Sequence, residues 1–267
     1  MDNLKKIRLT HENNVYFLYL DSPNKKNALD DELISEITST LDLLNADDNC
    51  RVVLLGSTSN VFCSGGDVKA MMEENEMFKG DSIDLRQQYH FGIQQIARSI
   101  ERFKKPIIAV VDGVAVGAGA DLACMCDMRV GSNRAKFIES FANLALVPGD
   151  GGTFFLSRVV GYAKAMELFL TAEPLSAQLA YDVGLLNFLF SEKEVWDEAK
   201  KLANKIANKP PVAIEMTKQA LKEAYRNRDL ESNLNLLSAF QAITQRSQDH
   251  QRGLLNLKGG DEKFKGH

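Results

Sequence analysis

Between residues 106 and 127 the chain reads PIIAVVDGVAVGAGADLACMCD, an uninterrupted β-branched run, then glycines at 113, 117 and 119, then a second apolar run carrying one acid. Residues 107–111 predict a strand buried on both faces. Gly113, Gly117 and Gly119 permit positive φ angles or close backbone approach that a side chain would forbid. The run from 121 to 126 predicts a short, wholly buried helix. The amides of residues 118–121 then lie at its amino end without intrahelical partners, next to the positive end of the helix dipole, an arrangement suited to an anion or a developing oxyanion. Asp121, in that first turn, is the candidate chemical group; its plainer role is that of a first-turn helix acid.

The rest of the chain extends this pattern. Residues 7–10 and 15–20 predict a hairpin with a polar turn at 11–14. After the loop DSPNKKNAL, an amphipathic helix is expected over 30–45, followed by a buried strand at 51–56. VFCSGGDVKAM then repeats the central logic: a strand end, small residues, two glycines and an acid in an incipient helix. The two units, 54–71 and 108–125, predict successive ββα turns whose exposed amides face one another across a pocket. Residues 73–84 are polar and broken at Gly80, which suits a lid, and 83–103 has helical apolar spacing through Leu85, Phe91, Ile93, Ile96, Ile100 and Phe103. A strand resumes at 128–130. LVPGDGGT places Asp150 in the centre of a loop, where an aspartate ordinarily serves the turn's own backbone. A helix is expected over 154–171. Beyond 191 the pattern is helical, over 195–208, 211–226 and 229–246, before a lysine-rich tail. The expected division is an α/β core over 1–191, which holds the site, and a helical region over 192–267.

With 267 residues, 45% hydrophobic and 25% charged, the composition is that of a globular chain with a sizeable core. A net charge of −4 gives no overall basic footprint for nucleic acid or an anionic membrane, although a local patch such as Lys25 and Lys26 suits phosphate. The four cysteines, at 50, 63, 124 and 126, lack zinc spacing or a CxxC pair and read as buried reduced thiols. No apolar run approaches bilayer length and the amino end has no apolar signal core, so the expected location is cytoplasmic. GVAVGAGADL meets only part of the dinucleotide-binding fingerprint, since Leu122 stands where its third glycine would be.

Three motifs carry a family resemblance. FCSGGDVKAM is similar to the F-x-(A/S)-G-x-D loop of the crotonase superfamily, the enoyl-CoA hydratase and isomerase group. PIIAVVDGVAVGAGADLACMCD resembles its long glycine-rich signature, and LVPGDGGT its P-G-x-G-G-T segment. PNKKNALDDEL, near the start, is similar to the family's P-x-x-x-NAL segment. The resemblance implies a crotonase-like spiral of ββα units with a carboxy-terminal helical region that packs against neighbouring subunits in a homotrimer or a dimer of trimers. It implies a coenzyme A thioester as substrate, with coenzyme A entering only as part of that substrate, and no metal or redox cofactor. Position by position, the backbone amides that hold the thioester oxygen fall on Gly66 and Ala118. Lys25 and Lys26 fall near the phosphates, Ala28 and Phe141 among the substrate- and coenzyme A-binding positions, while Ser64, Asp67 and Val68 line the nucleotide and pantetheine side. Lys258 or Phe264 would reach a neighbour's nucleotide.

The acids depart from the family pattern. A hydratase of this group carries two glutamates; here the first position holds Asp121 and the second, in FIESF, falls on Phe141. Two carboxylates cooperating on one water serve hydration, whereas moving a proton between carbons needs one well-placed acid and base. The expected activity is therefore of enoyl-CoA hydratase/isomerase type, with Asp121 as main acid/base and Asp150 or Glu139 as the substitute second acid. The alternatives are another reaction on the same fold, such as hydrolysis, decarboxylation or ring opening, and a non-catalytic acyl-CoA- or RNA-binding relative.

Overall fold

A computed structural model describes residues 4–227 and 229–267. Strands β1 (Ile7–Glu12) and β2 (Val15–Leu20) form an antiparallel hairpin, and helix α1 (Asp31–Ala46) follows a short loop. Next come β3 (Val52–Ser57), β4 (Val61–Cys63), α2 (Val68–Met72), α3 (Ser82–Phe91) and α4 (Gln94–Arg102). The centre of the chain holds β5 (Ile107–Val111), β6 (Val114–Val116), α5 (Ala118–Met125), β7 (Met128–Ser132) and β8 (Lys136–Ile138). It continues through α6 (Gly152–Val160), α7 (Tyr162–Thr171), β9 (Leu175–Ser176), α8 (Ala177–Asp182) and β10 (Phe188–Phe190). Helices α9 (Val195–Ala207), α10 (Pro211–Asn227), α11 (Leu230–Gln245) and α12 (Gln248–Leu257) complete it.

The strands sort into two sheets, ordered β1-β2-β3-β5-β7-β10 and β4-β6-β8-β9. Each central unit sends its first strand to one sheet and its second to the other before a helix: β3 and β4, β5 and β6, β7 and β8. This is the expected ββα spiral, with a third turn beyond the two that the glycine pattern marked. Within each sheet these strands run parallel to one another.

Strand period explains why β3 and β5 are apolar throughout. Val53, Leu55, Ile107, Ala109 and Val111 face the main core, whereas Val52, Leu54, Ile108 and Val110 face a second cluster on the opposite side. That second face is covered by α9 through Val195, Ala199, Ala203 and Ala207. By packing, therefore, α9 belongs to the core, and the helical appendage begins at α10 rather than at the expected boundary at 192. A strand buried on both faces has no polar position to alternate with, so its period is invisible while its burial is plain.

Several expected elements differ in extent. Asn13, with φ 52°, makes the tight turn of the first hairpin, so His11 sits in β1 and stacks on Tyr16 instead of lying in a turn. The helix expected at 83–103 breaks at Gly92 into α3 and α4, and α3 is largely exposed, with Ile83 and Phe91 turned outward. The expected lid contains a single helical turn at Glu76–Phe78, where Met77 is buried in the core. Gly161, at φ 78° and ψ 162°, divides the helix expected at 154–171. The tail holds a further helix, α12, and folds against its own chain: Asp249 accepts bonds from the amides of Lys265 and Gly266, and Arg51 donates to the carbonyl of Phe264 at 2.8 Å.

Helix α5 is the floor of the molecule, with all eight residues buried. It approaches β4 so closely that a methyl on Gly119 would lie 2.2 Å from the Cys63 carbonyl oxygen. That neighbour is backbone and cannot rotate away. Gly119→Ala is therefore expected to cost about 3 kcal/mol, lowering the thermal midpoint by roughly 10 °C in calorimetry. Gly253→Ala on α12, where the added methyl meets only a ring atom of Phe264 at 3.8 Å, should leave the midpoint unchanged or raise it slightly.

Candidate active site

The site forms at the carboxyl ends of three parallel strands, β4, β6 and β8, where the chain leaves each strand toward a helix. After β4 come Ser64, Gly65 and Gly66. Gly65 has φ +85°, and a side chain there would meet the Val116 carbonyl oxygen at 2.6 Å and the Ala118 nitrogen at 3.4 Å. The first glycine-rich turn is thus pressed against the second. After β6, Gly117 has φ +50° and donates its amide to the Ile138 carbonyl at 2.7 Å, tying the second turn to the end of β8. Gly66 and Ala118 both line one narrow cleft.

The orphan amides at the start of α5 are fewer than the sequence suggested. Ala120 and Asp121 both donate to the Gly117 carbonyl, at 2.8 and 3.0 Å, so the unpaired donors narrow to the first positions of the helix, Ala118 among them. Asp121 is fully buried and faces α6: a methyl built on Gly152 would stand 1.9 Å from its Oδ1, so the glycine backbone itself lies against the carboxyl.

Three acids converge behind the cleft. Asp121, Asp150 and Glu139 are all buried, and among the described residues none is paired with a lysine or arginine. Both oxygens of Asp121 and of Asp150, and Oε2 of Glu139, are buried without a hydrogen-bond donor. Burial raises the pKa of Asp121 well above the carboxylate range, and the charges of Asp150 and Glu139 push it further. Burial, followed by the charge of Asp150, does the same to Glu139. Asp150 is also raised by burial, but a hydrogen bond from Asp121 and the nearby amides of residues 150–152 oppose that rise. Asp150 is the strongest charge acting on both Asp121 and Glu139, so the three acids form one electrostatic cluster. Asp150 lines the cleft, whereas Asp121 stands behind it.

The cleft wall is otherwise mostly apolar, with Met71, Met77, Phe78, Phe141, Leu144 and Leu146. Phe141 occupies the second glutamate's place and lies over Gly117, 3.6 Å from where its Cβ would be. Ser64 and Val68 line the opposite side of the same cleft. Asp67 caps α2 by accepting from the amides of Lys69 and Ala70, and it binds Lys25 at 3.1 Å. Lys25 also reaches Asp30, at 3.3 Å, so its ammonium is engaged by carboxylates, while Lys26 is exposed in a left-handed turn. Ala28 is buried, and Leu29 beside it donates to the Gly65 carbonyl at 2.8 Å, anchoring this loop to the first glycine turn. Lys258 ends α12, and Phe264 packs near Gly253 of its own chain. Cys63, at the end of β4, donates its thiol to the Asn27 carbonyl, and burial pushes its pKa up to about 12, so it is no nucleophile near neutral pH.

Two features escaped the sequence patterns. The burial of Glu139 follows from its position directly after β8. Tyr89 also lines the cleft, from α3; its only trace in the sequence is the i, i+4 spacing of Leu85, Tyr89 and Ile93.

The acid cluster fixes a pH dependence. A carboxyl whose folded-state pKa exceeds its unfolded value of about 4 binds more protons folded than unfolded, so its contribution to stability is present below that value and is lost as pH rises through the folded pKa. Asp121→Asn removes one of the affected carboxyls. The variant should melt higher than the parent at pH 8 and show a flatter midpoint between pH 4 and 8. Each unit of pKa shift removed is worth about 1.4 kcal/mol, or roughly 2–4 °C. A variant that melts lower at pH 8 with an unchanged slope would reduce Asp121 to a helix-capping residue.

Comparison with known proteins agrees with this architecture. The family described as enoyl-CoA hydratase/isomerase matches residues 10–266. The chain is 33% identical to the 1,2-epoxyphenylacetyl-CoA isomerase of Escherichia coli, over 92% of this chain and 93% of that one. It is also 33% identical to the short-chain-enoyl-CoA hydratase of Clostridium acetobutylicum, over 90% and 87%. The crystal structure of an enoyl-CoA hydratase from Bacillus anthracis superposes with a TM-score of 0.92 at 27% identity, covering 98% of this chain and all of that one. With its ββα spiral, its glycine-rich turns and this match over nearly its whole length, the chain belongs to the enoyl-CoA hydratase/isomerase family of the crotonase superfamily.

Proposed function

We propose that this acyl-CoA enzyme holds the thioester carbonyl oxygen between the backbone amides of Gly66 and Ala118 and moves a proton at the neighbouring carbon with the Asp121–Asp150 pair. The observation that carries the reading is that Gly66, Ala118 and Asp150 line one cleft, while Asp121 is buried beside it with the charge of Asp150 acting on its carboxyl. Removing a proton beside a thioester carbonyl places negative charge on its oxygen, and preorganised amides aimed at that oxygen stabilise the enolate. Asp150 takes the proton from one carbon and returns it to the other, with Asp121 behind it as the second member of the pair. The sequence pointed to Asp121 as the principal group, and the placement of Asp150 on the cleft wall gives the contact with substrate to Asp150. Coenzyme A takes part only as the substrate's carrier, on the side of Lys26, Ala28, Ser64, Asp67 and Val68.

Phe141 favours isomerisation over hydration. An apolar ring in place of a second glutamate leaves no partner there to orient a water, and the remaining acids suit carrying a proton from one carbon to another. The methionine and aromatic wall fits the apolar parts of an acyl group.

Absorbance assays on crotonyl-CoA and a 3-enoyl-CoA test this directly. Isomerisation should exceed hydration, and Asp150→Asn should lower it by about 10²–10⁴. Gly66→Pro, which deletes one oxyanion donor, should lose about 10²–10³ in turnover while coenzyme A still binds. Turnover within threefold of the parent in either variant would sink the mechanism.

The same reading includes a homo-oligomer, a trimer or dimer of trimers. Helix α11 has no buried residue, and Leu230, Leu234, Leu237 and Ile243 are exposed along it. Light scattering should give a mass of three or six chains, and a monomer at micromolar concentration would overturn this part.

A further inference from the structure

The cleft contains a polar group that the proton-transfer chemistry does not use. Tyr89 projects from α3, the exposed helix after the polar segment, and its ring rests on the Asp150 loop: a methyl on Gly149 would lie 3.0 Å from ring carbon Cε1 and 3.2 Å from Cδ1. The loop's glycine is what lets the ring approach. Tyr89 lines the same cleft as Asp150 and is half-buried. Among the described residues its hydroxyl has no hydrogen-bond partner, and it is not one of the sealed polar atoms. It is a donor left open beside the reacting centre, in a wall otherwise built mainly from methionine, leucine and phenylalanine. Of the other polar side chains on the wall, Ser64 belongs to the first glycine turn and Ser140 stands over Gly117. Neither touches the Asp150 loop in this way.

We infer that Tyr89 is a specificity-determining residue whose phenol donates a hydrogen bond to an oxygen on the acyl part of the substrate, so that the enzyme prefers acyl-CoA thioesters oxygenated near the reacting carbons over plain hydrocarbon ones. This rests on the acyl-CoA reading of the cleft. An open donor in an apolar wall discriminates in one direction: a ligand oxygen satisfies it, whereas an alkyl chain takes it from water and leaves it unpaired. Burial and the charge of Asp150 raise the phenol's pKa, so it stays protonated through the neutral range and acts as a donor rather than a base. The contact with Gly149 also aligns the phenol with the loop that carries Asp150, so the same acyl oxygen is held while Asp150 works on its neighbour.

Calorimetric titration of the full-length enzyme with racemic 3-hydroxybutyryl-CoA and with butyryl-CoA compares an oxygenated acyl group with its hydrocarbon counterpart. The parent should bind the hydroxy ligand about 3–10-fold more tightly, the worth of one net hydrogen bond. Tyr89→Phe keeps the ring on Gly149 and removes only the hydroxyl, so it should abolish that preference by weakening the hydroxy ligand alone, with butyryl-CoA and the melting midpoint unchanged. Absence of a preference in the parent, persistence of the preference in the variant, or equal weakening of both ligands would each overturn the assignment. Failure of both ligands to bind the parent would instead overturn the acyl-CoA reading, and this inference with it.

Discussion

Three carboxyl groups sealed together in an apolar interior are the constraint to which the rest of the structure answers. Burial disfavours charge on each, and each makes charge on the others less favourable. Such a cluster persists only if the surrounding chain over-determines it. Helix α5 is held from both sides by backbone contacts that admit no side chain: Gly119 against the Cys63 carbonyl, and Gly152 against the Asp121 carboxyl. Together these contacts leave α5 no room to move away and relieve the acids. The confinement is expressed instead in carboxyl pKa values raised above their ordinary range.

The spiral supplies the framework for that confinement. Parallel strands β4, β6 and β8 end side by side, and each exits through a turn at the same edge. Ligands in parallel sheets bind beyond the carboxyl ends of strands because that is where loops and helix amino ends meet. Here the two glycine turns bring backbone amides to that edge, and the third exit, after β8, brings Glu139 and then Asp150. The site is therefore a consequence of strand order, with side chains added at the one place where three exits converge.

Much of this was legible in the sequence because its signals are backbone signals. The runs at 51–56 and 107–111 marked strands, the glycines at 65–66 and 117–119 marked the turns, and the acids followed at helix starts. What escaped depended on contacts distant along the chain. No local pattern distinguishes α9, which covers the sheet, from α10 and α11, which do not; all three are amphipathic. Gly92 and Gly161 break helices whose apolar spacing continues through them. The relative standing of Asp121 and Asp150 also lay outside the sequence: a helix acid inside a long motif looks more consequential than an acid in a turn, yet packing puts the turn acid on the cleft wall and the helix acid behind it. Tyr89 reaches the cleft only because Gly149, sixty residues later, leaves space for its ring.

The two halves of the site have different structural origins, and this bears on how the fold tolerates a change of acid. The amides of Gly66 and Ala118 are backbone groups placed by β4, β6 and their turns. The acids sit on α5 and in the loops after β8, where each is held by packing rather than by the strand ladder. A change of side chain at Phe141 therefore leaves those amides where they are. Relatives named as a hydratase and as an isomerase, each 33% identical to this chain, fit that separation of backbone from side chains. In this chain the loop that carries the cleft-lining acid is PGDGG. Its glycines perform distinct tasks, since Gly149 admits the Tyr89 ring and Gly152 admits the Asp121 carboxyl. Asp150 thus stands between the Tyr89 ring and the Asp121 carboxyl, and the residues beside it are those that cannot carry a side chain.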